Sequence, residues 1–200
     1  MSPPGDAPRT PALFLDRDGV INFDRGYVHR VDQFEFVPGI FELVRCAAGE
    51  LGWPAVVATN QSGIGRGYFD QAAYDALTTW IEERFRAENA PLTRVYHCPY
   101  HPERGVGRYR ADHPWRKPRP GMFLQAADDL SLDLARSVAI GDQMSDVAAA
   151  AAAGIGLCLR LDAQGTGADP SMPPHTAIHS LGEAIPILRA HGCMDRNKVQ

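Results

Sequence analysis

An apolar run, Pro11 to Leu15, ends in Asp16-Arg17-Asp18-Gly19. That junction constrains the chain more than any other stretch. The run reads as a buried strand. Two acids spaced i, i+2 would share a face if the strand continued, but Gly19 turns the chain instead. In an open parallel sheet, ligands bind just beyond the carboxyl ends of the strands. Two carboxylates there can hold a hard divalent cation, and one of them can attack an electrophile. The plain alternative is a polar strand-end turn, and spacing alone does not choose between the two.

The rest of the chain repeats the same alternation. Strands are expected near 13–16, 55–59, 94–97, 137–141 and 155–160, and helices near 39–51, 70–89, 121–130, 145–153 and 181–190. Pro38-Gly39, Asp70 and Ser145 read as N-caps, and Pro120 sits near a first turn. This pattern predicts an α/β fold, a Rossmann-like three-layer sandwich with a central parallel sheet and right-handed crossovers. At 200 residues the chain has room for one domain with a proper core. We place that domain at 11–190, after a disordered leader at 1–10 and before a frayed tail at 191–200. Two long irregular stretches, 22–37 and 98–120, leave the first and third strands. Loops of that length are usually functional or disordered, and neither is long enough for a separate cap.

The bulk properties exclude several partners. A net charge of −4 and a pI of about 5.9 give no global basic character, so nucleic acid is not expected. No apolar run approaches a membrane span, and the first residues lack a signal-peptide pattern. Cys46, Cys98, Cys158 and Cys193 form no disulfide framework, which points to a reducing cytoplasm. We expect a cytoplasmic monomer.

Three more strand ends or helix entries carry chemistry. Thr59-Asn60-Gln61-Ser62-Gly63-Ile64-Gly65-Arg66-Gly67 follows the apolar Val56-Val57-Ala58. A hydroxyl and the N–H groups of a glycine-rich turn can hold a phosphate there. Arg116-Lys117-Pro118 precedes a helix. A lysine beside a carboxylate nucleophile screens its charge from an incoming phosphate. Gly141-Asp142-Gln143-Met144-Ser145-Asp146 follows Val138-Ala139-Ile140. Asp142 can complete a metal shell, and Asp146 lies one helical turn further on, where it can support the site or serve as a first-turn carboxylate.

In this order the four motifs resemble those of the haloacid-dehalogenase (HAD) superfamily of phosphatases, across 12–160. With Gly26-Tyr27-Val28-His29, Phe34-Glu35-Phe36, Cys98-Pro99 and Pro120-Gly121-Met122, the chain is most similar to the D-glycero-D-manno-heptose 1,7-bisphosphate 7-phosphatase family, a small branch without a large cap domain. The resemblance implies a magnesium-dependent phosphatase that acts on a phosphosugar in the synthesis of nucleotide-activated heptose for lipopolysaccharide core. It makes Asp16 the nucleophile and Asp18 the general acid and base. Thr59 and Lys117 then hold the phosphoryl group. Magnesium sits on Asp16, the carbonyl of Asp18 and Asp142, with Asp146 in support. Substrate contacts fall on Asp24, Arg25, Gly26, Tyr27, Asn60, Gln61, Ser62, Arg116 and Gln143.

Histidinol-phosphate phosphatases are near relatives of that family and tend to read Asn-Gln-Asp-Gly in the second motif, where this chain has Asn60-Gln61-Ser62-Gly63. A non-catalytic phosphosugar-binding protein would have lost an acid or the lysine, and none is lost here. Many family members carry a structural zinc on the third loop, on a Cys-x-His pair and a Cys-x-Cys pair. Here those pairs read Cys98-Pro99-Tyr100 and His113-Pro114-Trp115, so Cys98 alone is kept, with His113 as a candidate substitute and His97 or His101 as residues that could shift in. Structural zinc wants four ligands, so we expect the loop to be ordered without it.

Overall fold

The computed structural model describes residues 9–163, 165 and 173–196. It contains β1 (Leu13–Leu15), β2 (Ala55–Asn60), β3 (Arg94–Cys98), β4 (Val138–Gly141), β5 (Leu157–Leu161) and β6 (Thr176–Ile178). They form one sheet in the order β3-β2-β1-β4-β5-β6, every pair parallel. The chain steps outward from β1 to β3, then returns to the middle and steps out the other way from β4. The strand order therefore reverses between β1 and β4, which is where an open α/β sheet forms its ligand crevice.

The helices are α1 (Ile40–Arg45), which runs into a π-helical turn (Cys46–Leu51), then α2 (Ser62–Gly65), α3 (Gln71–Ala87), α4 (Gly121–Leu130), α5 (Met144–Ala152) and α6 (Leu181–Arg196). Alternation along the strands splits the core in two. Leu13, Leu15, Val57 and Ile140 pack with Leu43, Leu77, Phe85 and Leu188 of α1, α3 and α6. Phe14, Val56 and Ala139 face the other way, against Met122 and Phe123 of α4 and Val147 of α5. Phe14 meets Phe123 edge-on, with ring centroids 5.2 Å apart. This is the three-layer α/β sandwich expected.

Three local readings need correction. Ser145 does not cap α5; Gln143 does, because the Asp146 carboxylate folds back to accept from Gln143 N at 2.9 Å and starts the helix two residues earlier. Asp70 caps α3 as expected, accepting from Ala73 N. A sixth strand, β6, went unseen because it is three residues long and mostly exposed at the sheet edge. The last helix continues past Ala190 to Arg196; Arg189 pairs with Glu50, and Gly192 packs on Leu51 and Trp53. Most of the leader at 1–10 lies outside the described residues. Among the described residues no helix is long and apolar enough to cross a membrane.

Candidate active site

Register aligns the tips of the central strands. Leu15 pairs with Val57 on one side and Ile140 on the other, and Asp16 N donates to Ile140 O at 3.0 Å. Asp16, Thr59 and Asp142 therefore leave one edge of the sheet together. A cleft of about 360 Å³ opens above them, a size suited to a small ligand. Its walls include Asp16, Asp18, Asp24, Gly26, Tyr27, Asn60, Gln61, Ser62, Lys117, Asp142, Gln143 and Asp146.

Lys117 is the best-fixed residue of the site. Its side chain is 2% exposed, and its Nζ lies 3.0 Å from Asp16 Oδ1, 2.6 Å from Asp146 Oδ1 and 2.8 Å from the Ala58 carbonyl. Three acceptors use all three ammonium protons. Burial alone would pull its pKa down, but Asp146 and Asp16 outweigh that and hold it above the ordinary lysine range. Asn60 clamps the backbone of the same residue from both sides: Lys117 N donates to its Oδ1 and its Nδ2 donates to Lys117 O, each at 3.1 Å.

Asp18 is oriented by three donors. Arg17 Nη2 reaches its two oxygens at 2.9 and 2.8 Å, Asn22 Nδ2 reaches Oδ1 at 3.0 Å, and Gln61 Nε2 reaches Oδ2 at 2.8 Å. Gln61 Nε2 also lies 3.1 Å from Thr59 Oγ1. Since that hydroxyl accepts from Gln61, its own hydrogen is free to donate elsewhere. Arg17 is itself buried, with its Nη2 on the Val28 carbonyl and its guanidinium over the Tyr74 ring.

Asp16, Asp142 and Asp146 place carboxylate oxygens within 4.8 Å of one another, the only such set of three possible metal ligands among the described residues. Burial first, and then the neighbouring acids, push Asp16 up to about 7; burial chiefly raises Asp142 to about 6. Asp142 Oδ1 is buried without a hydrogen bond. Asp16 takes both its hydrogen bonds on Oδ1, from Arg17 N and Lys117, which leaves Oδ2 uncommitted. Four carboxylates, Asp16, Asp18, Asp142 and Asp146, meet only the cations Arg17 and Lys117. The deficit of two charges fits a divalent cation bound by oxygen. Asp146 belongs to that set by distance, but Lys117 and Gln143 N already occupy its two oxygens. Its oxygens are therefore less available to a cation than Oδ2 of Asp16 or Oδ1 of Asp142.

Two glycines permit this crowding. A Cβ on Gly19, whose φ is +88°, would sit 2.3 Å from the Asp142 carboxylate, and one on Gly141 would sit 2.2 Å from Asp146 Cβ.

Of the other expected residues, Gln143 lines the cleft and the rest stand apart from its walls. Thr59 is buried beneath Gln61. Arg25 is exposed and ion-paired with Glu35 across its own loop. Arg116 is half-buried beside the cleft, donating to the Tyr100 carbonyl at 3.1 Å. Gln143 reaches back to Asp142 Oδ2 at 2.7 Å. Cys98 ends β3 and is fully buried; in the third loop His113 Nδ1 accepts from Trp115 N at 3.1 Å, while its ring stacks on Tyr100 at 4.2 Å. Arg17 and Asn22 as orienting groups were missed; an arginine set between two acids, Asp16 and Asp18, was the available signal.

A HAD-hydrolase-like family model matches residues 114–184. The D-glycero-alpha-D-manno-heptose-1,7-bisphosphate 7-phosphatase of Burkholderia mallei is 51% identical over 148 residues, 74% of this chain and 78% of that protein. The chain belongs to the heptose 1,7-bisphosphate 7-phosphatase family. Its members span both anomers by name: the D-glycero-beta-D-manno-heptose-1,7-bisphosphate 7-phosphatase of Vibrio cholerae is 47% identical over 146 residues, 73% of this chain and 78% of that one. Among solved structures, the D,D-heptose 1,7-bisphosphate phosphatase from B. bronchiseptica, complexed with magnesium and phosphate, superposes with a TM-score of 0.77 at 28% identity, covering 90% of this chain and 99% of that one. The family is hydrolytic, so the chain is a phosphomonoester hydrolase of the HAD type.

Proposed function

We propose that this phosphatase removes the C7 phosphate of D-glycero-D-manno-heptose 1,7-bisphosphate, in the supply of nucleotide-activated heptose. The observation that carries the reading is the buried Lys117 bridging Asp16 and Asp146 directly beneath the cleft. It supplies a fixed positive charge where a phosphoryl group must approach a carboxylate.

Asp16 attacks phosphorus in line through Oδ2, and the bond from phosphorus to the sugar oxygen breaks. Asp18 donates its proton to that oxygen and later takes one from the water that hydrolyses the aspartyl phosphate. Arg17, Asn22 and Gln61 hold the Asp18 carboxyl in place for both steps. Thr59 donates its hydroxyl hydrogen to a phosphoryl oxygen, and Lys117 balances charge on the transferring group. Asp16, the Asp18 carbonyl and Asp142 would hold magnesium, whose chemistry is to neutralise the phosphate and keep it aligned. Arg116 lies beside the cleft next to Lys117 and can contact the far phosphate, as guanidinium suits bidentate phosphate contacts. We place the enzyme in the cytoplasm as a monomer, with no nucleic acid or membrane partner.

The test is phosphate release with magnesium from both anomers of the heptose 1,7-bisphosphate, from histidinol phosphate and from an aryl phosphate. The expected order puts a heptose bisphosphate first, with all activity lost in Asp16→Asn. Preference for histidinol phosphate would reassign the substrate, and substantial activity in Asp16→Asn would end the mechanism.

A further inference from the structure

Arg66 follows α2 at the meeting point of three segments. Its Nη1 donates to Tyr27 Oη at 2.7 Å, and its guanidinium lies over the Tyr27 ring, 5.6 Å from the centroid. Tyr27 lines the cleft and packs edge-on against Tyr68 at 4.6 Å. The residue before Arg66 is tied to the third loop, with Val106 N donating to Gly65 O at 2.8 Å. The first loop, the second motif and the third loop thus converge on this side chain.

Its charge is not balanced. Neither Arg66 nor Arg116 forms an ion pair among the described residues, although both are half-buried. Arg66 Nε is shielded from solvent and makes no hydrogen bond. The two guanidiniums also feel one another: burial first, and then the charge of Arg66, hold Arg116 below the ordinary arginine range. Partly desolvated like charges without a counter-ion are costly unless an anion joins them. Tyr27 Oη accepts from Arg66, so its own hydrogen remains free for an incoming oxygen.

We propose that Arg66, with Arg116 and the Tyr27 hydroxyl, forms a second anion subsite at the rim of the cleft, which takes the phosphate that is not hydrolysed. The proposal rests on the bisphosphate reading above and makes Arg66 a specificity-determining residue. The chemistry is recognition only. Two guanidiniums and a phenol O–H surround a dianion, and the binding energy is expressed at the reacting end.

The experiment compares kcat/KM for the heptose 1,7-bisphosphate with that for the heptose 7-phosphate, which shares the reacting end and lacks the far anion. In Arg66→Met the ratio should fall about tenfold or more, the scale of a lost charge-assisted contact. Arg66→Lys should recover part of it. If the methionine variant does not fold, Arg66→Lys and Tyr27→Phe carry the test, each lowering the ratio. A variant that keeps the wild-type ratio, or that loses both substrates equally, overturns the role of Arg66 and leaves the functional reading standing. A wild type with a ratio near one, or no activity on either heptose phosphate, overturns the functional reading and the subsite together.

Discussion

The floor of the cleft and the third loop that rims it meet at Lys117, yet different forces hold them. On the floor, Lys117, Asp16, Asp146 and Asp18 each take two or more hydrogen bonds or ion pairs, largely out of water. Along the rim, rings do the work: Tyr100 stacks on His113, Tyr109 packs on Tyr100, and Trp115 packs on Tyr96. Buried charge is demanding, because removing one partner strands another. Ring packing is forgiving, since neighbouring contacts share the loss. The floor is therefore fixed to the ångström, while the rim is free to vary its chemistry around one catalytic centre.

The sharpest way to break this contrast is at the floor. Asp16→Asn should lower turnover by about 10⁴-fold or more, the scale of losing a nucleophile, with little change in melting temperature. Lys117→Met should do comparable kinetic harm and also destabilise by about 3–5 kcal/mol, since Asp16 and Asp146 lose their counter-ion. Chemical denaturation checks the second part; a stability within experimental error of wild type would refute the argument from buried charge. Gly19→Ala comes next. The new Cβ meets Asp142 at 2.3 Å on a backbone with φ +88°, so a cost of about 1–3 kcal/mol is expected, with weaker magnesium activation. Unchanged magnesium dependence would show that Asp142 can move aside.

A pH experiment sharpens the comparison further. Burial raises Asp16 from 3.8 to about 7 and Asp142 from 3.8 to about 6. A carboxylate with a raised folded pKa binds extra protons in the folded state. The metal-free protein should therefore lose stability as pH rises from 3.8 through about 7. Magnesium competes with those protons, so its effect on melting temperature should be larger at pH 8 than at pH 5, read by thermal melts with and without chelator. Equal gains at both pH values would contradict the crowded-carboxylate account. The smallest effect is expected on the rim. Tyr100→Ala should cost about 0.5–1.5 kcal/mol and leave aryl-phosphate turnover near wild type, with no zinc in the purified protein. Stoichiometric zinc by elemental analysis would instead assign the loop to a metal.

Much of the floor was legible in the sequence. Asp16, Asp18, Lys117 and Asp142 each stand at an apolar run's end or a helix entry, and a parallel sheet forces such ends onto one edge. The alternation of Leu13, Phe14 and Leu15 between two cores follows from the strand period of two, so the layers were also readable. What stayed hidden depends on partners far apart in the chain. Asn60 reads as a ligand contact, but its carboxamide closes on the Lys117 backbone 57 residues away. Gln61 reads the same way, yet it links Thr59 to Asp18. Ser145 looks like a cap until Asp146 folds back to Gln143. Arg66 is one more polar residue in a glycine-rich turn until Tyr27 and Arg116 arrive beside it. Local sequence specifies period, turn and residue chemistry because those act within a few residues. Which donor meets which acceptor, and which charges are left without a counter-ion, is decided only when packing brings distant strand ends together and removes the water between them.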